Sequence, residues 1–173
     1  MKKNSNWNEQ EKKYGSLRDK ALSKIDAKSV SEAPFVYAQR QTVTKALTRI
    51  DLFKHILETQ GAIVECGVHN GSSLFLYDHL SSILEPYNMH RKIIGFDTFE
   101  GFKSLSNKDA SNVTPDIFND VSFDHLIEWT ELQKMNRSVS HIEKVELVKG
   151  DACETIPKFV DENPHLIIAL LYL

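Results

Sequence analysis

Four short apolar runs, at Ala62–Cys66, Lys92–Asp97, Val145–Val148 and Leu166–Leu173, restrict what this chain can fold into more than any other feature. Apolar runs of about four to eight residues that lack polar alternation suit strands buried on both faces. The segments between them read as helices. Leu74–Leu84 follows the first strand. Ser122 caps a stretch running to about Asn136 with Phe123, Leu126, Ile127 and Met135 on its apolar side, and Ala152–Val160 forms a short helix or turn around Pro157. Strands alternating with helices predict a parallel α/β sheet with flanking helices. Four strands make that sheet incomplete.

Helices are also expected ahead of the first strand. Residues 9 to 26 carry Leu17, Leu22 and Ile25 among many charges and predict a modestly amphipathic helix interrupted or bent near Gly15. After Ala33-Pro34, the stretch Phe35–Gln60 places Val43, Leu47, Ile50, Phe53, Ile56 and Leu57 at three- and four-residue steps, with Gly61 as the stop. The expected organisation is an N-terminal helical appendage over 1–34 and one domain over 35–173, a length that can bury one core. Residues 98 to 120, rich in Ser, Asn, Asp and Lys, read as a long loop and a candidate lid.

Composition narrows the function. With 21 basic against 24 acidic residues and no dense Lys/Arg block, nucleic-acid binding is not the expected activity. No signal peptide or membrane span is legible, so the cytoplasm is the expected location. Cys66 and Cys153 lack CxxC spacing, and the seven histidines form no paired motif, so no structural metal site is expected.

Three strand ends carry the chemistry. Glu65-Cys66-Gly67-Val68-His69-Asn70-Gly71-Ser72-Ser73 stands where a strand turns into a helix, and glycines there let a ligand approach backbone N–H groups. Its Gly-x-x-x-Gly spacing lacks the third glycine of the dinucleotide fingerprint, which disfavours an NAD-dependent oxidoreductase. A plain tight turn is the alternative. Asp97 ends the second strand, thirty positions after Gly67, where a carboxylate can accept from ribose hydroxyls or cap its own loop. Gly150-Asp151-Ala152 follows the third strand, where Asp151 can accept from an adenine amino group or cap a helix.

Together with Gly95-Phe96-Asp97-Thr98-Phe99-Glu100-Gly101-Phe102 and Ala169-Leu170-Leu171-Tyr172-Leu173, these segments resemble the class I S-adenosylmethionine-dependent methyltransferases, and more narrowly the macrocin O-methyltransferase family. The resemblance spans about residues 35 to 173. It implies a Rossmann-like sheet, S-adenosylmethionine as cofactor, and O-methylation of a hydroxylated small molecule such as a sugar. By the same resemblance Glu65, Gly67, Gly71, Ser72 and Ser73 surround the methionine end of the cofactor, Asp97 its ribose, and Asp151 with Ala152 its adenine. His69 and Asn70 depart from the family's loop.

The family pattern continues past the fourth strand with acids that bind a divalent metal such as Mg, and Leu173 is the last residue here. The expectations are therefore a cofactor-binding part with its catalytic residues unassigned, and an open sheet edge covered by further chain or a second copy. A non-catalytic nucleoside-binding or interaction module is the alternative reading.

Overall fold

A computed structural model of the chain describes residues 8–101 and 122–173. It divides into two units, one ending at Lys45 and one spanning Ala46–Leu173. Within the first, helix α1 (Glu9–Leu22) starts at a reciprocal cap: the Asn8 side chain accepts from the Glu11 N–H while Glu11 accepts from the Asn8 N–H. The helix continues through Gly15, which is buried, so the expected interruption is absent. Asp26 caps α2 (Ala27–Glu32), and Pro34 opens α3 (Pro34–Tyr37), where its missing N–H costs nothing.

The helix expected over Phe35–Gln60 is divided. Ala38 is extended and separates α3 from α4 (Arg40–Lys54), and α4 stops well short of Gly61. The reason lies far along the sequence. Arg91, 1% exposed, donates to the carbonyls of Ile56, Thr59 and Gly61 at 2.9, 3.0 and 2.6 Å, and its guanidinium pairs with Glu85 at 2.8 Å. A charged side chain that fills its donors with carbonyls turns the chain after α4 and compensates its own burial.

The second unit carries a parallel sheet in the order β3-β2-β1-β4. Its strands are β1 (Ala62–Cys66), β2 (Ile93–Asp97), β3 (Val145–Lys149) and β4 (Ile168–Tyr172), joined by α5 (Ser72–Leu84), α6 (Phe123–Met135) and α7 (Ala152–Glu162). Alternate strand residues face two apolar layers. Ile63, Ile93, Val68, Leu74, Tyr77 and Leu126 meet Phe53 of α4 on one side, and Ala62, Val64, Ile94 and Phe96 meet Phe159 of α7 on the other. Central β1 and β2 are buried along their first four residues because both faces are covered. β4 pairs with β1 along one edge, and its Ile168 and Leu171 are 47% and 55% exposed.

The two ends of the sheet differ in chemistry. At the strand N-termini, Arg91 and buried Lys144, whose ammonium donates to Ser81 at 2.6 Å, form a polar network that burial makes costly to leave unpaired. The C-terminal ends carry the residues singled out in the sequence. Ser122 stands at the N-cap of α6 as expected, without a side-chain hydrogen bond to the helix. Most of the loop expected over 98–120, the candidate lid, lies outside the described residues.

Candidate functional site

Backbone hydrogen bonds gather three separate segments. Gly67 N–H donates to Phe96 C=O at 2.8 Å and Gly150 N–H to Asp97 C=O at 2.9 Å, so the turns after β1, β2 and β3 lie side by side. The carboxyl ends of adjacent parallel strands form the crevice in which α/β folds bind ligands.

Asp97 ties two of these turns together. Its Oδ2 accepts from His69 N–H at 2.7 Å and its Oδ1 from Phe99 N–H at 2.8 Å. His69 and Phe99 both sit at positive φ, 49° and 54°, conformations rare for residues with a side chain and held here by the shared carboxylate. The loop-capping role of Asp97 is thus realised. A carboxylate has about four acceptor positions, so two such bonds leave acceptor capacity for a ligand hydroxyl.

The β1 turn is built for close approach. Gly67 adopts φ +87° with nothing among the described residues within 4 Å of where a Cβ would stand, and Gly71 adopts φ +76° at the N-cap of α5. A glycine cap supplies no side-chain acceptor, so the helix start keeps its positive character for a ligand carboxylate. Asn70 Oδ1 accepts from Ser72 N–H at 3.2 Å and shapes the loop's exit.

Glu65, at 1% exposure, lies beneath this turn. Ser73 Oγ donates to its Oε1, while Oε2 is buried without a hydrogen-bond partner among the described residues. Burial pushes the carboxyl up to about 7, against the lowering effects of the Ser73 hydrogen bond and the Arg49 guanidinium. Arg49 itself lies 5.4 Å from the centre of the Tyr172 ring, and Tyr172 is directly across from Glu65 in the β1–β4 register. Tyr77, buried and with its hydroxyl unpaired, has its ionisation pushed upward by desolvation. Arg49, Tyr77 and Tyr172 were not singled out in the sequence. Tyr77 and Arg49 show only as ordinary members of helices until the sheet places Glu65 among them.

Asp151 has a local structural role. Its carboxylate accepts from Cys153 N–H at 2.9 Å and caps α7, the local role open to it from sequence, and Ala152 is the first helical residue. Among the described residues no three His, Cys, Asp or Glu side chains converge as a metal ion would need.

A parallel sheet in this order, with a glycine turn after β1 and an acid ending β2, is the arrangement of class I S-adenosylmethionine-dependent methyltransferases, and the chain has that fold. Solved structures carry the likeness to particular proteins. Over 96% of its length the chain is similar to CalS11, a calicheamicin methyltransferase, with a TM-score of 0.87 and 28% identity, covering 68% of that chain. The apo structure of CalS11, the TDP-rhamnose 3'-O-methyltransferase of calicheamicin biosynthesis, matches 96% of the chain with a TM-score of 0.77 and 28% identity, covering 66% of that protein. No protein-family model matches the chain, and no curated protein is a significant match.

Proposed function

We propose that the chain is the cofactor-binding part of an S-adenosylmethionine-dependent O-methyltransferase acting on a hydroxylated, sugar-like small molecule. The observation that carries this reading is the superposition of nearly the whole chain on CalS11 at 28% identity. A fold alone hosts many activities, so the strand-end chemistry must agree with the likeness. Glu65 has an unpaired, buried Oε2 suited to a cationic group, and the open space at Gly67 with the uncapped start of α5 suits an adjoining carboxylate. An amino acid moiety has both charges. Asp97 retains acceptor capacity for vicinal ribose hydroxyls, and Asp151 with Ala152 lies at the neighbouring turn for an adenine edge.

The bound cofactor supplies a sulfonium methyl group that an acceptor oxygen displaces in line. The chain's own contribution in this reading is positioning: Gly67, Gly71, Ser72 and Ser73 shape the methionine end, and Asp97 fixes the ribose. None of the described acids is assigned to a metal ion, since no three of the described His, Cys, Asp or Glu side chains converge. A narrower macrocin-like specificity and a cytoplasmic location belong to the same proposal; no helix among the described residues is long and apolar enough to cross a membrane.

The test is transfer of a labelled methyl group from S-adenosylmethionine to a panel of nucleotide-linked deoxysugars. The proposal expects label on a sugar hydroxyl. Protein that binds the cofactor yet labels none of the panel would contradict sugar O-methylation.

A further inference from the structure

A cleft of about 690 Å³ opens beside the cofactor turn, between the start of α5 and the face of α6. Phe75 and Trp129 supply its aromatic lining, and Asn70, Ser122, His125 and Gln133 supply polar groups. Its size falls within the roughly 300–1,000 Å³ of small-molecule sites, and its mixture of aromatic walls and a few polar groups is their usual chemistry. His125, Trp129 and Gln133 recur at four-residue steps on α6 and so share one face. The His125 ring meets Trp129 edge-on at 6.1 Å and 69°, which braces the indole.

Two observations connect this cleft to the cofactor site. Asn70 belongs to the same turn as Gly67 and Gly71, so an occupant of the cleft lies next to the residues assigned to the methionine end. Gly71 also lets two lining residues pack directly against the turn, since a Cβ there would stand 2.9 Å from the Phe75 ring and 3.1 Å from Leu126. Neither lysine nor arginine is among the described lining residues, so a diphosphate finds no cationic partner there. A sugar ring fits better: its C–H face can lie on the half-exposed Trp129 while its hydroxyls meet amide, imidazole and hydroxyl groups.

We propose that the cleft between α5 and α6 is the acceptor subsite, and that it holds the sugar ring of a nucleotide-linked sugar against Trp129. The inference rests on the methyltransferase reading. Trp129 sets acceptor affinity, and the cofactor binds independently of it. TDP-rhamnose, TDP and S-adenosylhomocysteine are the probes, each titrated calorimetrically into wild-type protein, Trp129→Ala and Trp129→Phe. Trp129→Ala is expected to weaken TDP-rhamnose at least tenfold, with TDP and S-adenosylhomocysteine changed less than twofold. Trp129→Phe keeps a stacking face and is expected to retain most of the affinity, which also guards against loss through misfolding. Unchanged TDP-rhamnose binding in Trp129→Ala, or a parallel loss of TDP binding, overturns the proposal. Wild-type protein that binds S-adenosylhomocysteine but not TDP-rhamnose overturns it while leaving the cofactor assignment intact. Protein that binds neither overturns the methyltransferase reading and this inference with it.

Discussion

Glu65 concentrates the tension between stability and binding in one side chain. Its carboxyl is raised from an ordinary 4.5 to about 7 chiefly by burial, so the folded chain favours the neutral form. The unfolded chain ionises from about pH 4.5, and the folded chain holds its proton until near pH 7. The stability this group contributes is therefore full below the unfolded pKa and lost as pH rises through the folded one, with a span of about 3 kcal/mol. Glu65→Gln removes the titration. The melting temperature of the variant relative to wild type is expected to climb from pH 5 to pH 8, and an unchanging difference would contradict the role assigned to burial. The same substitution weakens S-adenosylhomocysteine if Oε2 receives its ammonium group. At this scale the sequence was informative about position: Glu65, Gly67, Gly71 and Asp97 stand at the strand ends where the apolar runs placed them. The bond from His69 to Asp97 and the company of Arg49 and Tyr172 around Glu65 were not legible, because they join residues from separate elements, 28 positions apart for His69 and Asp97.

At the scale of elements, Gly95 shows how tightly the layers interlock. In the middle of β2, a Cβ would stand 2.5 Å from Leu74 and 2.6 Å from Val68, both in the buried layer under α5. Gly95→Ala is expected to destabilise the protein by about 1–3 kcal/mol through overpacking, measured by denaturant melts. An unaltered midpoint would mean that α5 moves away without cost. Asp97→Ala acts at the same scale, since it strands the His69 and Phe99 N–H groups and loosens two turns at once. Its expected cost is about 1–3 kcal/mol per buried group left unpaired, so its effect on binding must be read beside its melting temperature. The four strands and three following helices were legible from apolar runs and three- and four-residue steps. The region before β1 was not: α2 escaped notice, the expected helix over 35–60 is split at Ala38, and its early end depends on Arg91, which binds carbonyls at least 30 positions earlier. Periodicity sees neighbours on one helix and misses a partner from elsewhere.

Across the whole molecule, the sheet has unequal edges. β4 offers Ile168 and Leu171 to solvent beside a row of backbone groups without a strand partner among the described residues. Such an edge favours pairing with another chain. Sedimentation velocity is expected to show concentration-dependent association that Leu171→Lys reduces, and a concentration-independent monomer would remove this expectation. The parallel sheet followed from the alternation of elements, whereas the acceptor subsite did not, because Asn70, Phe75 and Trp129 meet only when α5 and α6 pack on the same face. In the proposed function the strand ends bind S-adenosylmethionine. Calorimetric titration with S-adenosylhomocysteine, with NADH as comparator and Asp97→Ala as control, tests it most directly. The account predicts selective binding of S-adenosylhomocysteine that Asp97→Ala weakens at least tenfold in protein that is still folded. Folded wild-type protein that prefers NADH, or that binds neither ligand, would contradict it.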